Sequence, residues 1–525
     1  MNRSSIHLLD LPDEILLIIL KKLNNIDVLY SLLDINNGRL NILAQENTFT
    51  NTVKFVSIDD MCLIDRFCID ILPRIHQNGK CFIIDPVFME RILLATSYPN
   101  LNKLEIFHFQ QQIVLNYFTD ESSLQSIFEQ ITNLILVNHD QNGSIGLLKN
   151  YTTNVYACIL DFFKNLKNLT VIQPFRILYP GLSLSDLPSG TFFSLILTYL
   201  NINVNTFDDC LYLLDGRLKQ LAELSVAIYD IDNSSVIVHN VDNLPNLKCF
   251  SLKSICRFQQ YDKIVLLLRR MSCLEQLTLY VHVKGRNRVL DGTCVQRDIL
   301  DYMPQLHSFT FYIGTYVDTI GLSYKLSNED IRRTLTNIGQ QHATSIVNYV
   351  STDKAACSIF SLPFAFDYLE HLGNVFPNIV FSYVTYLLVE DDDPFKHEFF
   401  IRIARSFPLL KYLRIFNIES AVLYDHTTFE LGNSGSHSIV EYYHLTSLDV
   451  RYGHRDYVEQ FLNETKTYAP CLTELGVVDI HLKTVTKNFT RDETRHNCVK
   501  IKRLFTLGSL DHSRDFCLYF PSLQI

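Results

Sequence analysis

Two groups of side chains in this 525-residue chain have the chemistry of metal ligands. Residues 390–393 read Glu-Asp-Asp-Asp after a predicted strand, and carboxylate oxygens are the ligands that Ca²⁺ and Mg²⁺ prefer. His426, His437 and His444 lie in or beside a loop that contains glycine and serine. Neither group has a recognised ligand spacing, so we interpret the carboxylates as a solvated loop before a helix and the histidines as loop residues. No metal or other cofactor is predicted.

Catalytic motifs are missing from the sequence. There is no G-x-S-x-G, no Walker loop and no H-E-x-x-H, and His397-Glu398 lacks the second histidine of the last motif. The small basic turn Gly285-Arg286-Asn287-Arg288 is interpreted as a loop. We therefore predict that the protein is not an enzyme; the enzymatic alternative is a site assembled from residues distant in the chain.

The composition is that of a globular protein, with 47% hydrophobic and 19% charged residues. A net charge of −10 argues against an electrostatically driven nucleic-acid binder. No stretch approaches about 18 uninterrupted apolar residues, so no membrane span is predicted. The N-terminus lacks a signal-peptide pattern, and the thirteen cysteines include no C-x-x-C pair. We expect reduced cysteines and a cytoplasmic or nuclear protein.

The opening of the chain predicts a helix over residues 12–23. Pro12 suits the first helical turn, Asp13 and Glu14 favour the positive end of the helix dipole, and basic residues follow at the other end. At about 100° per residue the apolar side chains cover nearly the whole circumference. A helix of this kind must be buried on nearly every side, so one face is expected to need a partner.

This stretch resembles an F-box, a three-helix module that docks onto the Skp1 adaptor of ubiquitin ligases. The resemblance rests on Leu-Pro-Asp-Glu-Ile-Leu at residues 11–16, on the apolar residues that follow up to residue 23, and on Asp-Val-Leu at residues 27–29. Residues 34–43 depart from the basic, tryptophan-containing ending of the family. The resemblance implies a helical module over residues 1–48 whose adaptor contacts are Leu11, Pro12, Ile15, Ile18, Ile19 and Leu23. The alternative is a helical cap that closes a repeat domain.

A short apolar pattern returns along the rest of the chain: an apolar residue, two others, a second apolar residue, one other, and a third. Clear copies are Leu101-Leu104-Ile106, Leu274-Leu277-Leu279 and Leu410-Leu413-Ile415. Successive copies mostly begin 24 to 35 residues apart, and many follow a helix-like run that ends at a proline. Each unit therefore reads as helix, breaker, short strand and loop.

This organisation resembles leucine-rich repeat proteins over residues 79–525. The resemblance implies an α/β fold, an irregular solenoid with a parallel sheet on the concave face and helices outside. The polar residue that usually follows each strand is missing, which predicts irregular curvature. Residues 49–78 are expected to be a linker or first cap. Residues 315–378 are expected to be an irregular insertion with a helix over residues 329–342, either an inserted hairpin or two repeats whose apolar pattern has faded.

The two resemblances together imply a substrate-recognition subunit of an SCF-type ubiquitin ligase. The F-box is expected to bind a Skp1-like adaptor, and through it a cullin, while the repeat domain binds an unknown target protein. Candidate target contacts lie between the apolar strand positions: Lys103, Glu105, Gln276, Thr278, Tyr412 and Arg414. The alternative function is a leucine-rich-repeat scaffold that is not linked to ubiquitination.

Overall fold

The computed structural model is a mixed α/β protein whose residues group into two compact units. The structure describes the chain except for residues 1–7, 34, 36, 57–60, 110–112, 114–115, 119–121, 139–157, 161, 173–181, 185–191, 234–245, 322–326, 337, 339–341, 352, 418–437, 509–512 and 524–525. The first unit comprises Met1–Cys256, Asp262–Leu277 and Met303–Leu306. The second comprises Arg257–Tyr261, Thr278–Tyr302 and His307–Ile525.

Four short helices open the first unit: α1 (Asp13–Leu20), α2 (Asn25–Leu32), α3 (Gly38–Ala44) and α4 (Asn47–Thr50). α1 begins directly after Pro12, as predicted, because proline loses no hydrogen bond at a helix start. It ends at Leu20 and not at residue 23, since the N–H groups of residues 22 and 23 bond to carbonyls three residues back.

Eight parallel strands of the first unit follow in chain order: β1 (Thr52–Phe55), β2 (Cys81–Ile84), β3 (Lys103–Ile106), β4 (Asn133–Val137), β5 (Asn168–Ile172), β6 (Tyr199–Thr206), β7 (Glu223–Asp230) and β8 (Cys249–Ser254). Each strand pairs with the next one along the chain. β1 belongs to this sheet, so parallel pairing begins inside residues 49–78 and upstream of Gly79.

The helices that alternate with these strands are α5 (Met61–Arg66), α6 (Leu72–Ile75), α7 (Pro86–Leu93), α8 (Gln125–Phe128), α9 (Phe207–Leu213) and α10 (Tyr261–Arg269). A π-helical segment, Phe67–Ile71, joins α5 to α6. α7 illustrates why a helix forms there: the Asp85 side chain accepts a hydrogen bond from the Val87 N–H and caps the helix start. Among the described residues, no helix is long and apolar enough to cross a bilayer.

The middle of the chain contains β9 (Gln276–Val283), α11 (Gly292–Asp298), β10 (Ser308–Asp318), α12 (Asn328–Thr334), β11 (Ala343–Ser351) and β12 (Lys354–Ser361). β9 begins in the first unit and ends in the second. β12 pairs antiparallel with both β10 and β11, so the irregular region at residues 315–378 contains a β-hairpin. α12 ends at Thr334, short of the predicted residue 342.

Six parallel strands complete the second unit, in the order β13-β14-β15-β17-β19-β20. Their bounds are β13 (Tyr368–Leu372), β14 (Tyr386–Glu390), β15 (Tyr412–Asn417), β17 (Ser447–Gly453), β19 (Glu474–Val478) and β20 (Arg503–Leu507); β16 (Val440–Glu441) and β18 (Thr467–Tyr468) form a separate parallel pair. The helices here are α13 (His397–Ser406), α14 (Arg455–Leu462), α15 (Asp479–Val485) and α16 (Arg514–Tyr519).

The predicted apolar strand positions are confirmed as core positions. Leu104 and Ile106 in β3 are fully buried, as are Leu413 and Ile415 in β15. Because side chains alternate along a strand, the residues between them point the other way and stay partly exposed. We call the side of each parallel sheet that carries these intervening residues its open face.

Candidate functional site

The outer side of α1 carries a group of exposed apolar side chains. Pro12 is exposed and Leu11 is half-buried. Between 40% and 57% of the surface of each of four further residues is exposed: Ile15, Ile18, Ile19 and Leu23. Ile15, Ile18 and Ile19 lie on adjoining turns of α1, because they are three and four residues apart. Leu11 and Pro12 precede the helix and Leu23 follows it, and Leu11 also packs against the inner cluster that contains Leu16. We call these six residues the α1 patch; exposed apolar groups of this kind mark interaction surfaces.

The inner side of α1 is covered by the chain itself. Leu16 and Leu20 are buried, and Leu16 packs in one cluster with Leu40 and Leu43 of α3. α1 is therefore covered on one side and open to solvent on the other. The exposed side agrees with the expectation that one face of α1 needs a partner.

Arg39 of α3 fixes the start of α1. Its Nε donates to Asp13 Oδ1 at 2.6 Å, Nη1 donates to the Leu9 carbonyl at 2.8 Å, and Nη2 donates to the Leu11 carbonyl at 2.5 Å. Sequence reasoning missed this residue. The available signal is that Arg39 is the one basic side chain of α3, while the start of α1 is acidic.

The same helices are attached firmly to the strands that follow. Val28 and Leu29 of α2 are fully buried. Asn25 Nδ2 donates to the Thr52 carbonyl of β1 at 2.8 Å, and Arg74 Nη1 donates to the Leu33 carbonyl at 3.1 Å. The α1 patch is therefore presented on a folded support.

The predicted target contacts lie on open strand positions, in three pairs. Lys103 and Glu105 are neighbours on β3 and are half-buried, and Tyr412 and Arg414 are neighbours on β15. Gln276 and Thr278 lie on β9, on either side of the division between the units. The structure thus brings together the members of each pair, on three different strands.

The open face of the second unit contains further polar and aromatic residues beside Tyr412 and Arg414. Tyr386 of β14 lies beside Tyr412, with ring centroids 6.5 Å apart. Asp449 of β17 lies in register with Arg414. Sequence reasoning did not select Tyr386 or Asp449. Tyr386 has the same position in its copy of the apolar pattern as Tyr412, and Asp449 has the same position as Arg414. Aligning the copies of the apolar pattern would have found them.

A half-buried network of titratable residues also lies in the second unit. His371 Nδ1 contacts Glu390 Oε2, and Arg257 Nη2 lies 2.5 Å from His371 Nε2. Burial alone would raise the pKa of Glu370, but the hydrogen bond with His371 and the charge of His282 outweigh it and hold this pKa at about 2. Each carboxylate already has a partner, so the geometry is that of a structural ion-pair network.

Among the described residues, the solvated interpretation of the metal candidates fits only Asp393 and His444, which are exposed. Glu390 ends β14 and contacts His371, and Asp391 and Asp392 are half-buried. Asp391 accepts hydrogen bonds from the N–H groups of Asn374 at 2.5 Å and Asp393 at 3.0 Å. His444 is exposed, while His426 and His437 lie outside the described residues. Within the described ranges, no three His, Cys, Asp or Glu side chains are grouped to hold a metal ion.

Comparison of the chain with models of known protein families and with curated proteins found no match. The candidate binding surfaces of the chain are therefore the α1 patch and the open face of the second unit.

Proposed function

We propose that this protein is the substrate-recognition subunit of an SCF-type ubiquitin ligase in the cytoplasm or nucleus. Residues 1–48 act as an F-box whose α1 patch binds a Skp1-like adaptor and, through it, a cullin. The strands and helices that follow act as a leucine-rich-repeat solenoid that binds a target protein. The subunit performs no chemistry; it raises the effective concentration of the target near a ubiquitin-loaded enzyme.

The observation that carries this proposal is the exposure of the α1 patch. Burying a large aliphatic side chain completely stabilises a complex by about 1.5–3 kcal/mol. Ile15, Ile18, Ile19 and Leu23 are each roughly half exposed, so a partner that covers them gains several kcal/mol at that rate. A helix that serves only as a terminal cap needs a polar outer face, whereas the exposed side of α1 carries Ile15, Ile18 and Ile19.

The proposal is tested by measuring the affinity of the purified full chain for a purified Skp1 adaptor, by calorimetry or biolayer interferometry. The wild-type chain is expected to form a stoichiometric complex. Ile18→Glu puts a charge into the α1 patch and is expected to weaken binding at least about tenfold, because a buried unpaired charge is costly.

The matched control is Ile480→Glu, which makes the same change at an exposed isoleucine of α15 that is 63% exposed. It is expected to bind the adaptor as the wild type does. Absence of binding by the wild-type chain, or equal binding by Ile18→Glu, contradicts the proposal and favours a scaffold without a link to ubiquitination.

A further inference from the structure

The open face of the second unit combines tyrosine and arginine side chains on neighbouring strands. Tyr386 pairs in register with Tyr412, and Arg414 pairs with Asp449. We call the following set the arginine–tyrosine face: Tyr386, Tyr412, Arg414, Asp449, Arg451 and Tyr452. Tyrosine and arginine are the residues that most often dominate binding energy at protein interfaces.

The aromatic side chains of this face form a row and stay accessible. The rings of Tyr368 and Tyr386 stack with centroids 4.9 Å apart, and Phe416 and Tyr452 stack at 5.4 Å. Tyr412 is 41% exposed and Tyr452 is 37% exposed. Rings held by their neighbours lose little conformational freedom when a ligand covers them, which favours binding.

The charges on this face do not balance. Arg451 uses two nitrogens on Asp449, with Nε donating to Oδ1 at 2.9 Å and Nη2 donating to Oδ2 at 2.8 Å. Arg414 Nε lies 3.6 Å from Asp449 Oδ2, which is beyond hydrogen-bond distance for this pair. Two guanidinium groups therefore share one carboxylate, and one positive charge is left over.

Other carboxylates near Arg414 are already engaged. Glu474 binds Arg503 at 2.9 Å, Glu390 contacts His371, and Glu370 accepts a hydrogen bond from Tyr368. Arg414 Nε has no hydrogen-bond acceptor within the part of the chain that the structure describes. The guanidinium interacts with the Tyr386 hydroxyl and lies 5.1 Å from the Tyr452 ring centroid. Nε itself is buried, but the Arg414 side chain is 34% exposed, so a ligand is expected to reach the Nη groups of the guanidinium.

Gly476 maintains this geometry on the next strand. A methyl group there would lie 2.7 Å from Asp449 Oδ1 and 3.1 Å from Arg451 Nε. The absence of a side chain at this position lets the Asp449–Arg451 pair lie against β19. Asp449 then accepts both hydrogen bonds from Arg451, and the Arg414 guanidinium can bind a carboxylate of a ligand.

We propose that the arginine–tyrosine face binds an acidic segment of a partner protein, with an Asp or Glu carboxylate on Arg414 and apolar side chains against Tyr412 and Tyr452. The proposal rests on the proposed function only in calling this partner the ligase target. A charge-assisted pair between arginine and a carboxylate gives both affinity and orientation. The open positions of β3 to β5 in the first unit are unlike this face, with Asn133 and Asn168 bonded to each other.

The test uses the full chain, immobilised, and a phage-displayed library of random dodecapeptides as the probe. Selected peptides are expected to be enriched in Asp and Glu. A selected peptide made synthetically is expected to bind Arg414→Ala and Tyr412→Ala at least about tenfold more weakly than the wild type. Raising NaCl from about 50 to about 300 mM is expected to weaken wild-type binding, because salt screens exposed charges.

The matched control is Arg333→Ala, which makes the same change at an arginine of α12 whose side chain is 71% exposed, and it is expected to bind the peptide within about twofold of wild type. Thermal unfolding checks each variant; if Arg414→Ala is unfolded, Tyr412→Ala decides. No enrichment, neutral or basic peptides, or equal binding by the folded variants overturns the proposal. Adaptor affinity is measured on the same samples and is expected to be unchanged, so this result and that of the proposed function are read separately.

Discussion

Helix α1 has six large apolar side chains in eight residues and α13 has four in ten, but the two helices place these side chains differently. In α13, Phe399, Phe400 and Ile403 are at most 4% exposed. In α1, Ile15 and Ile18 are 42% and 57% exposed. The difference teaches that an apolar pattern shows that a helix needs covering, but not whether its own chain supplies the cover.

The neighbours of the two helices explain the difference. Phe400 lies edge-on to Phe461 with centroids 5.1 Å apart, and the Tyr442 hydroxyl donates to the Phe400 carbonyl at 3.0 Å. α1 has its main apolar contacts on one side only, with Leu40 and Leu43 of α3. Burial of the α13 side chains therefore stabilises the folded chain itself, whereas the apolar surface of the α1 patch can still be buried by a partner.

The largest expected effect on stability comes from replacing one large apolar side chain of each helix by alanine. Phe400→Ala is expected to lower the free energy of unfolding by about 3–5 kcal/mol, because it empties a packed aromatic site. Ile18→Ala is expected to change it by less than about 0.5 kcal/mol, since Ile18 is mostly in solvent. Urea unfolding followed by circular dichroism measures both. Equal losses in the two variants would remove the distinction between the helices.

A second test concerns the pH dependence of stability, which we expect to depend on the half-buried Glu370 of the second unit and not on an exposed carboxylate of the first. The folded pKa of Glu370 is about 2, below the ordinary 4.5, so the carboxylate stabilises the fold above pH 4.5, and this contribution is lost as the pH falls towards 2. Glu370→Gln is expected to cost on the order of 2 kcal/mol at pH 7 and almost nothing near pH 2.

The control for this titration is Glu90→Gln, an exposed carboxylate of α7, which is expected to stay within about 0.5 kcal/mol of wild type at either pH. The free energies of unfolding of the wild type and both variants are measured between pH 2 and pH 7. A cost of Glu370→Gln that does not change with pH contradicts the assignment of a depressed pKa.

A smaller effect on stability is expected from Arg39→Ala. Its bonds are partly exposed, so the loss is about 1 kcal/mol or less. Because Arg39 holds the start of α1, amide hydrogen exchange in α1 is expected to accelerate and adaptor affinity to fall. Arg333→Ala on α12 removes an arginine whose side chain is 71% exposed, against 39% for Arg39, and should change neither. If amide exchange in α1 of Arg39→Ala equals that of the wild type, the hydrogen bonds of Arg39 are not needed to hold the start of α1.

Much of the fold could be predicted because the signals are local in the sequence. The spacing of Leu104 and Ile106, repeated at Leu413 and Ile415, places both side chains of each pair on one buried strand face. Pro12 marks the start of α1 correctly. Counting apolar residues around α1 predicted that the helix needs covering on nearly every side, but it did not predict that Ile18 would be left 57% exposed.

The rest depends on contacts between distant residues. Arg257 and His371 are 114 positions apart, and no local pattern links them. The antiparallel pairing of β10, β12 and β11 has no counterpart in the repeating apolar pattern. Arg39 reaches Asp13 across 26 residues, and its role depends on how α3 packs on α1.

Hydrogen–deuterium exchange of the full chain, with and without the Skp1 adaptor, tests the central claim most directly. The account predicts slower exchange on adaptor binding in residues 11–23 and no change in β13 to β20. Unchanged exchange in residues 11–23 at saturating adaptor would show that the exposed side of α1 is not the docking surface.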